Sequence, residues 1–430
     1  GSQSKLLILT TLITSISLVS IIFVQRMIFW YSSTLGRFIP SDFVDYHSIK
    51  VFQLVRDGSV WNLAIPYGQY PFGLESLIAF GMLIVPDIRI TGLMFALVFI
   101  VLWLTLALLV MRFAQLSIDV SLLLATGLCL IPLVFPRLLN IGKNDVLLST
   151  TILIAVLHAP IGNNRFHPYG LAFATMLSLA TKATGLYILF YLWGLVMLNW
   201  FLHLRKGTWR TYLSPLTFIT VIFVMFPGGL WVIRNYLILG EVFTSEIASF
   251  FGTTIILNLD NPSLYNSWQS IDLLFHLVLA TILGMSALFY KRLSWQMLGL
   301  VIVITITFMV TPLAAFLTTN NLDYLDVQWR FVLHGLLLLG IILVVIIAPL
   351  IHRMYAWVSQ RYIVSIGMSL GLISASVLLL YVIGFDDLFT YDAGLWEHVV
   401  DPTLQDDSIY DELAQLEAST VYIENLTWFS

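Results

Sequence analysis

The stretch FIPSDFVDYHSIK, residues 38–50, gathers Asp42, Asp45, His47 and Lys50 within a chain that otherwise avoids charge. Two uses of these residue types compete. Asp42 could be a helix N-cap, with Asp45 at the third helical position where the dipole favours an acid. A cap explains neither His47 one turn on nor a carboxylate beside an apolar segment, and a capped position can also orient a base. A second polar insertion, LLNIGKNDVLLS at 138–149, offers the same choice. Asn144 or Asp145 could cap the next helix. Alternatively Asp145 could join Asp42 and His47 around a sugar or a divalent cation such as Mg or Mn, since two carboxylates and an imidazole suit a hard metal. Lys143 could contact a phosphate.

Three further stretches carry isolated cations. In LATKATG, Lys182 stands between two apolar segments, placed either to snorkel to an interface or to bind phosphate. In PGGLWVIRNYLILGEVF, Arg234 and Asn235 lie where an apolar run ends. The planar fork of an arginine suits an anionic phosphate, and a headgroup anchor beside Trp231 and Tyr236 is the alternative. Arg330 and His334 in DVQWRFVLH pose the same question. The aromatics Trp61, Tyr67 and Tyr70 fit an interfacial belt.

The elements that must position these residues follow from composition. Of 430 residues, 59% are hydrophobic and 10% charged, where soluble domains carry roughly 25% charge. The chain therefore reads as an all-α polytopic membrane protein. The single cysteine, Cys129, excludes a disulfide framework, and a net charge of −4 gives no sign of a nucleic-acid partner. The opening GSQ resembles a cloning scar.

Eleven stretches are candidate spans: 5–30, 90–112, 118–139, 144–160, 168–182, 183–203, 211–232, 270–290, 294–318, 329–351 and 362–384. A twelfth, 72–86, is short for a span that needs about 20 apolar residues, and reads as re-entrant or surface-lying. Charge supports this choice. With a cytoplasmic N-terminus, HLRKGTWR and YKR then face the cytoplasm, as basic loops do, with Asp119 as the sole acid on that side. Arg26, Arg37, Lys50, Arg56, Arg89, Arg137, Lys143, Lys182, Arg234 and Arg330 face outward with Asp42, Asp45, Glu75 and Asp145. Charges near the bilayer are expensive and call for partners, so an outward-facing polar site is expected there.

Two outward regions are long. Residues 31–89 form a loop with an interfacial helix, apolar through Val44, Val51, Leu54 and Val55 and ended by Gly58, then an aromatic Pro/Gly-rich segment. Residues 233–269 form the second. The domain organisation is thus a transmembrane domain over 1–384 and, over 385–430, the acidic start of a small outward soluble region.

Taken in order, several of these stretches resemble the polyprenyl-phosphate-dependent membrane glycosyltransferases of the GT-C superfamily, in the branch of the protein mannosyltransferases and the lipid A aminoarabinose transferase. DFVDYH is similar to that branch's first-loop motif, with Asp42 on the catalytic position and Asp45 on a variable one. GKNDVLL resembles its second acidic motif, ATKATGLYIL its Lys-Gly hairpin, and IRNYLILGEVF its Arg-Asn-Tyr stretch. They place Asp145, Lys182, Arg234, Asn235, Tyr236 and Gly240 on family positions. The resemblance covers roughly residues 5–260. It departs at Tyr70, where a basic residue commonly precedes the proline, and at Glu241-Val242, where Asn-Pro is usual.

The resemblance implies a GT-C fold of about eleven transmembrane helices in the inner (plasma) membrane, with its active site facing the periplasm or exterior. It implies a polyprenyl-phosphate-linked sugar donor and a glycan, lipid or protein acceptor. Asp42 would be the general base, with Lys182, Arg234, Lys143 and Arg330 around the donor phosphate. Asp45, His47, Asp145, Tyr70 and Asn235 would line the substrate site, and Asp42, Asp145 and His47 would hold a divalent cation if one binds. A lipid-linked sugar flippase, a secondary transporter and a non-catalytic subunit of the same fold are the alternatives. No internal symmetry of the transporter kind is visible.

Overall fold

A computed structural model describes residues 8–9, 12–13, 15–16, 43, 47–61, 63, 68–88, 90–131, 134–139, 142–162, 166–208, 212–240, 273–319 and 332–359. These residues are helical or irregular, with no strand among them. Asp42, Asp45, Tyr67, Arg330, the expected span 362–384 and the acidic region 385–430 lie outside them.

Helix α1 is Ser48–Asp57 and α2 is Gly73–Ile84. They precede α3 (Ile90–Ala114), α4 (Ile118–Cys129), the short α5 (Phe135–Leu139), α6 (Asn144–His158) and α7 (Pro168–Thr181). After a 3-10 turn come α8 (Leu186–Arg205), α9 (Pro215–Met225), a second 3-10 turn and α10 (Leu230–Leu239). Helices α11 (Leu273–Leu288), α12 (Trp295–Thr319) and α13 (Leu333–Ser359) complete the set. Four stretches are long and apolar enough to cross a membrane: Ile90–Ala114, Ala183–Arg205, Pro215–Leu239 and Leu333–Val358.

The bundle forms around α3, α6 and α13, which pack on one another, with α7 against α6. Phe95, Phe99, Leu102 and Leu106 repeat at helical spacing and are fully buried on α3. Helix α6 is buried on nearly every side, yet it carries Ser149, Thr150 and Thr151. Their hydroxyls donate to carbonyls of the preceding turn, so they enter an apolar interior without an unmet donor. Ser178 Oγ on α7 also lies 2.8 Å from Thr151 Oγ1, a polar link between helices that small side chains permit.

Two expected spans are corrected. The stretch 118–139 is interrupted: α4 ends at Cys129 and α5 begins at Phe135. The intervening sequence carries Pro132, followed by Pro136, and each proline removes a backbone donor. The stretch 211–232 instead starts at Pro215, capped by Ser214 Oγ, which accepts from the Thr217 N–H at 3.1 Å. It continues to Leu239 because the Pro-Gly-Gly segment is accommodated as a 3-10 turn, Phe226–Gly229.

The first loop is also corrected in one respect. Helix α1 ends at Gly58 in the left-handed conformation (φ 61°), whose N–H returns to Leu54 O. Its inward face, however, is mixed, with Val51 buried among polar side chains. Ser48, Lys50, Val51 and Gln53 are buried while Val55 is exposed, because α1 packs on α2 and finds a carboxylate there. Helix α2 spans twelve residues, about 18 Å at 1.5 Å per residue. That falls short of a hydrocarbon core of about 30 Å.

Candidate functional site

The site is assembled where the start of α2, the start of α6, the end of α7 and the middle of α10 meet. Gly73 makes the closest approach, since a methyl on it would lie 2.6 Å from Ala180 O on α7. Trp231 Nε1 on α10 donates to Leu179 O at 2.9 Å. These contacts fix α2 and α10 to adjacent residues of α7, Ala180 and Leu179, just before Lys182.

On one side lies a sealed group of charges. His47 Nδ1 is 2.7 Å from Glu75 Oε1, and Lys50 Nζ is 3.7 Å from the same oxygen. Glu75 is 1% exposed and Lys50 0%. The Lys50 ammonium also lies 4.9 Å from the Phe72 ring centroid and 5.6 Å from that of Tyr70, cation–π contacts that gain strength when water is excluded. Burial pushes the Glu75 carboxyl up, but Lys50 and His47 together outweigh it and hold Glu75 below its ordinary value. Burial lowers the Lys50 ammonium, with Glu75 opposing that shift.

Beside this group, Arg234 is 1% exposed. It donates to Val60 O at 2.8 Å, to Tyr70 O at 3.2 Å, and twice to Asn235 Oδ1 at 3.0 and 3.3 Å. Asn235 Nδ2 donates to Gln69 O at 2.8 Å. The Arg234 guanidinium also lies 4.8 Å from the Phe72 ring centroid. Two adjacent side chains of α10 thus grip three carbonyls of the segment 60–70. The headgroup-anchor alternative at Arg234 does not hold, because Arg234 and the neighbouring Trp231 are both buried.

On the other side, Lys182 Nζ is 2.5 Å from Asp145 Oδ1. Lys182 terminates α7 in an extended conformation and Asp145 sits in the first turn of α6. Neither Asn144 nor Asp145 caps α6. The N-cap position is Lys143, without a side-chain cap, while Asn144 Nδ2 reaches Thr181 O at 3.4 Å. Lys182 is likewise no snorkelling residue, since its ammonium turns to a buried carboxylate.

The two polar regions are joined through the first loop. Phe43, the neighbour of Asp42 in sequence, is fully buried against Gly142, three residues before Asp145. Gly142 has φ 80°, and a methyl there would fall 2.3 Å from Phe43 Cδ2. Gly142→Ala is therefore expected to lose both backbone ease and the Phe43 seat, the first term alone costing roughly 1–3 kcal/mol. Gly58→Ala is the control, as it shares a positive φ but meets nothing within 4 Å. Melting in detergent should fall distinctly further for Gly142→Ala than for Gly58→Ala. Equal losses would remove Phe43 from the explanation.

Of the residues the sequence singled out, His47 and Tyr70 meet Arg234 and Asn235 in one group, and Asp145 meets Lys182 in the other. Lys143 borders the second. Sequence reasoning put Lys50 and Glu75 among the outward charges but gave neither a role in the site. Their signal was present, a lysine three positions after His47 and a lone acid in an apolar helix, but nothing in the spacing joins them. Of the three groups expected to hold a divalent cation, His47 and Asp145 already face Glu75 and Lys182. Among the described residues no three His, Cys, Asp or Glu side chains converge. Comparison with known protein families, characterised proteins and solved structures returns no match.

Proposed function

We propose that this chain is a membrane-embedded glycosyltransferase of the GT-C type, with about eleven transmembrane helices in the inner membrane. It moves a sugar from a polyprenyl-phosphate donor to a hydroxyl of a glycan, lipid or protein acceptor on the periplasmic side. One observation carries the reading. The four stretches that resemble the family's motifs, far apart in sequence, supply side chains to adjoining parts of a single region: Phe43 of DFVDYH on Gly142 of GKNDVLL, Asp145 on Lys182, and Arg234-Asn235 on the loop that α1 and α2 enclose.

In this proposal Asp42 takes the proton from the acceptor hydroxyl as its oxygen bonds to the anomeric carbon. The bond from that carbon to the phosphate oxygen breaks, and polyprenyl phosphate leaves with the electron pair. Attack opposite the phosphate inverts the anomeric centre. Lys182 stabilises the charge developing on the phosphate, and Asp145 fixes where the ammonium stands. Lys143 and Arg330 are the further phosphate ligands. Arg234, whose N–H groups are directed at carbonyls, positions the segment 60–70 instead, with Asn235 beside it. His47 and Tyr70 border the acceptor side, with Asp45 in the same loop. A divalent cation, if one binds, would be held by Asp42, Asp145 and His47 and would supply charge stabilisation at the phosphate.

The test is sugar transfer from synthetic polyprenyl-phosphate sugars by detergent-purified protein, with Asp42→Asn and EDTA as parallel arms. Transfer by the wild type, reduced about 10²–10⁴-fold in a folded Asp42→Asn, is the expected result for a lost general base. Undiminished transfer in Asp42→Asn would remove that residue from catalysis.

A further inference from the structure

His334 occupies the second position of α13, and its side chain is 1% exposed. Among the described residues its Nε2 has no hydrogen-bond partner. Helix α13 packs on α6, which carries Asp145, and the imidazole stands within electrostatic reach of Asp145 and Lys182. Thr184 repeats the pattern. It lies in the turn two residues past Lys182, is 1% exposed, and its Oγ1 also lacks a partner among the described residues. The adjacent Gly185 closes on Leu148, one turn along α6 from Asp145. Buried polar atoms without partners are uncommon in native proteins and call for a ligand, water or ion to complete them.

We infer that His334 and Thr184 complete, with Lys182, a buried niche for a phosphate group. The inference rests on the reading that the chain handles a phosphate-linked lipid, and it adds two ligands from elements outside the resembling motifs. The polarity of the niche selects an anion. Lys182 repels a cation, and the Asp145 carboxylate is already held by that lysine at 2.5 Å. The remaining side chains can donate: Nε2–H of His334 in that tautomer and the Thr184 hydroxyl. A group with several acceptor oxygens satisfies all of them, as a lipid phosphate or a free phosphate does.

The experiment uses the full chain in detergent and follows binding of farnesyl phosphate and inorganic phosphate in separate arms, with farnesol as the uncharged control. His334→Leu is expected to keep or raise the melting temperature, since it removes an unmet buried polar atom, while weakening phosphate binding at least about tenfold, the ratio equivalent to about 1.4 kcal/mol. His334→Gln, which returns an N–H near the Nε2 position, should recover part of the affinity. Thr184→Val should weaken binding without loss of fold. Binding of both probes marks a site for the phosphate group itself, and binding of farnesyl phosphate alone marks the lipid form; either supports the niche.

Unchanged binding in His334→Leu overturns it, as does a lowered melting temperature with no rescue by Gln, which would mark a packing role. Absence of phosphate binding by the wild type also overturns it. Sugar transfer measured beside these arms separates the two ideas. Transfer with His334-independent binding sinks the niche alone. His334-dependent binding without transfer from any donor sinks the glycosyltransferase reading alone.

Discussion

Glu75→Gln is expected to be among the most destabilising single changes in this chain, at roughly 3–5 kcal/mol, the usual result of removing one partner from a buried ion pair. The shape of the side chain is kept, so packing against Leu74 and Ile78 is untouched. What is lost is the only carboxylate among the described residues that faces His47 and Lys50. Lys50, fully buried beneath Phe72 and Tyr70, would lose this counter-charge. Melting of the detergent-solubilised protein should fall by many degrees. The double variant Glu75→Gln/Lys50→Met should regain most of the loss, because an uncharged pair of similar volume removes the penalty along with the attraction. A single variant that melts like the wild type would show that the cluster is solvated or unpaired in solution.

The pH dependence follows in sign from the same group. The folded-state carboxyl of Glu75 sits below its ordinary value, held there against the opposing effect of burial by Lys50 and His47. Its stabilisation is thus fully present above the ordinary carboxylate pKa, about 4.3, and disappears as pH falls through the lower folded value. Between pH 7 and 5 this group should change stability little. The variant behaves differently. With Glu75 gone, burial depresses Lys50 without the opposing carboxylate. A lysine depressed in the folded state opposes folding while protonated, so stability rises with pH between its folded and unfolded values. The gap between Glu75→Gln and wild type should narrow as pH rises toward the ordinary lysine value of about 10.4, read in melting curves. A gap independent of pH would assign the loss to packing.

The parts of the site that were legible in the sequence share one property: each is a charge or a kink in a run where apolar residues are otherwise unbroken. Asp145, Lys182 and Arg234 stand out for that reason, and Gly58 marks the end of α1 through the conformation only glycine adopts freely. What escaped is pairing. His47 and Glu75 are 28 positions apart, and neither periodicity nor spacing specifies which acid a given cation will meet once α1 folds onto α2. The inward face of α1 is not legible from an amphipathic pattern, which assumes that buried means apolar. A buried carboxylate on the neighbouring helix reverses that rule and draws Lys50 inside. The interruption at 130–134 was written in the prolines, and a hydropathy window averages across them. Lys182 and Asp145 were both noticed, but a snorkelling lysine and a helix-capping acid are single-residue ideas, whereas the fold makes them one ion pair.

Arg234→Lys is the second change with a large expected effect, although charge is conserved. The guanidinium serves Val60 O, Tyr70 O and Asn235 Oδ1 from different N–H groups of one rigid plane. An ammonium offers three donors from a single point and cannot span those directions. At least one buried carbonyl would be left without a donor, at about 1–3 kcal/mol for each, and Asn235 would lose the neighbour that fixes its amide toward Gln69 O. The damage should be local. Segment 60–70 is joined to α10 through these two side chains, so amide exchange over 60–70 should accelerate by an order of magnitude or more while α3 and α6 keep their protection. Arg234→Met should go further, removing all four bonds and the cation–π contact with Phe72. Transfer activity should drop with the loop in both variants if the segment encloses the acceptor side of the site. A headgroup anchor would behave otherwise, since Lys can replace Arg at a membrane interface, and exchange over 60–70 would then remain at the wild-type rate.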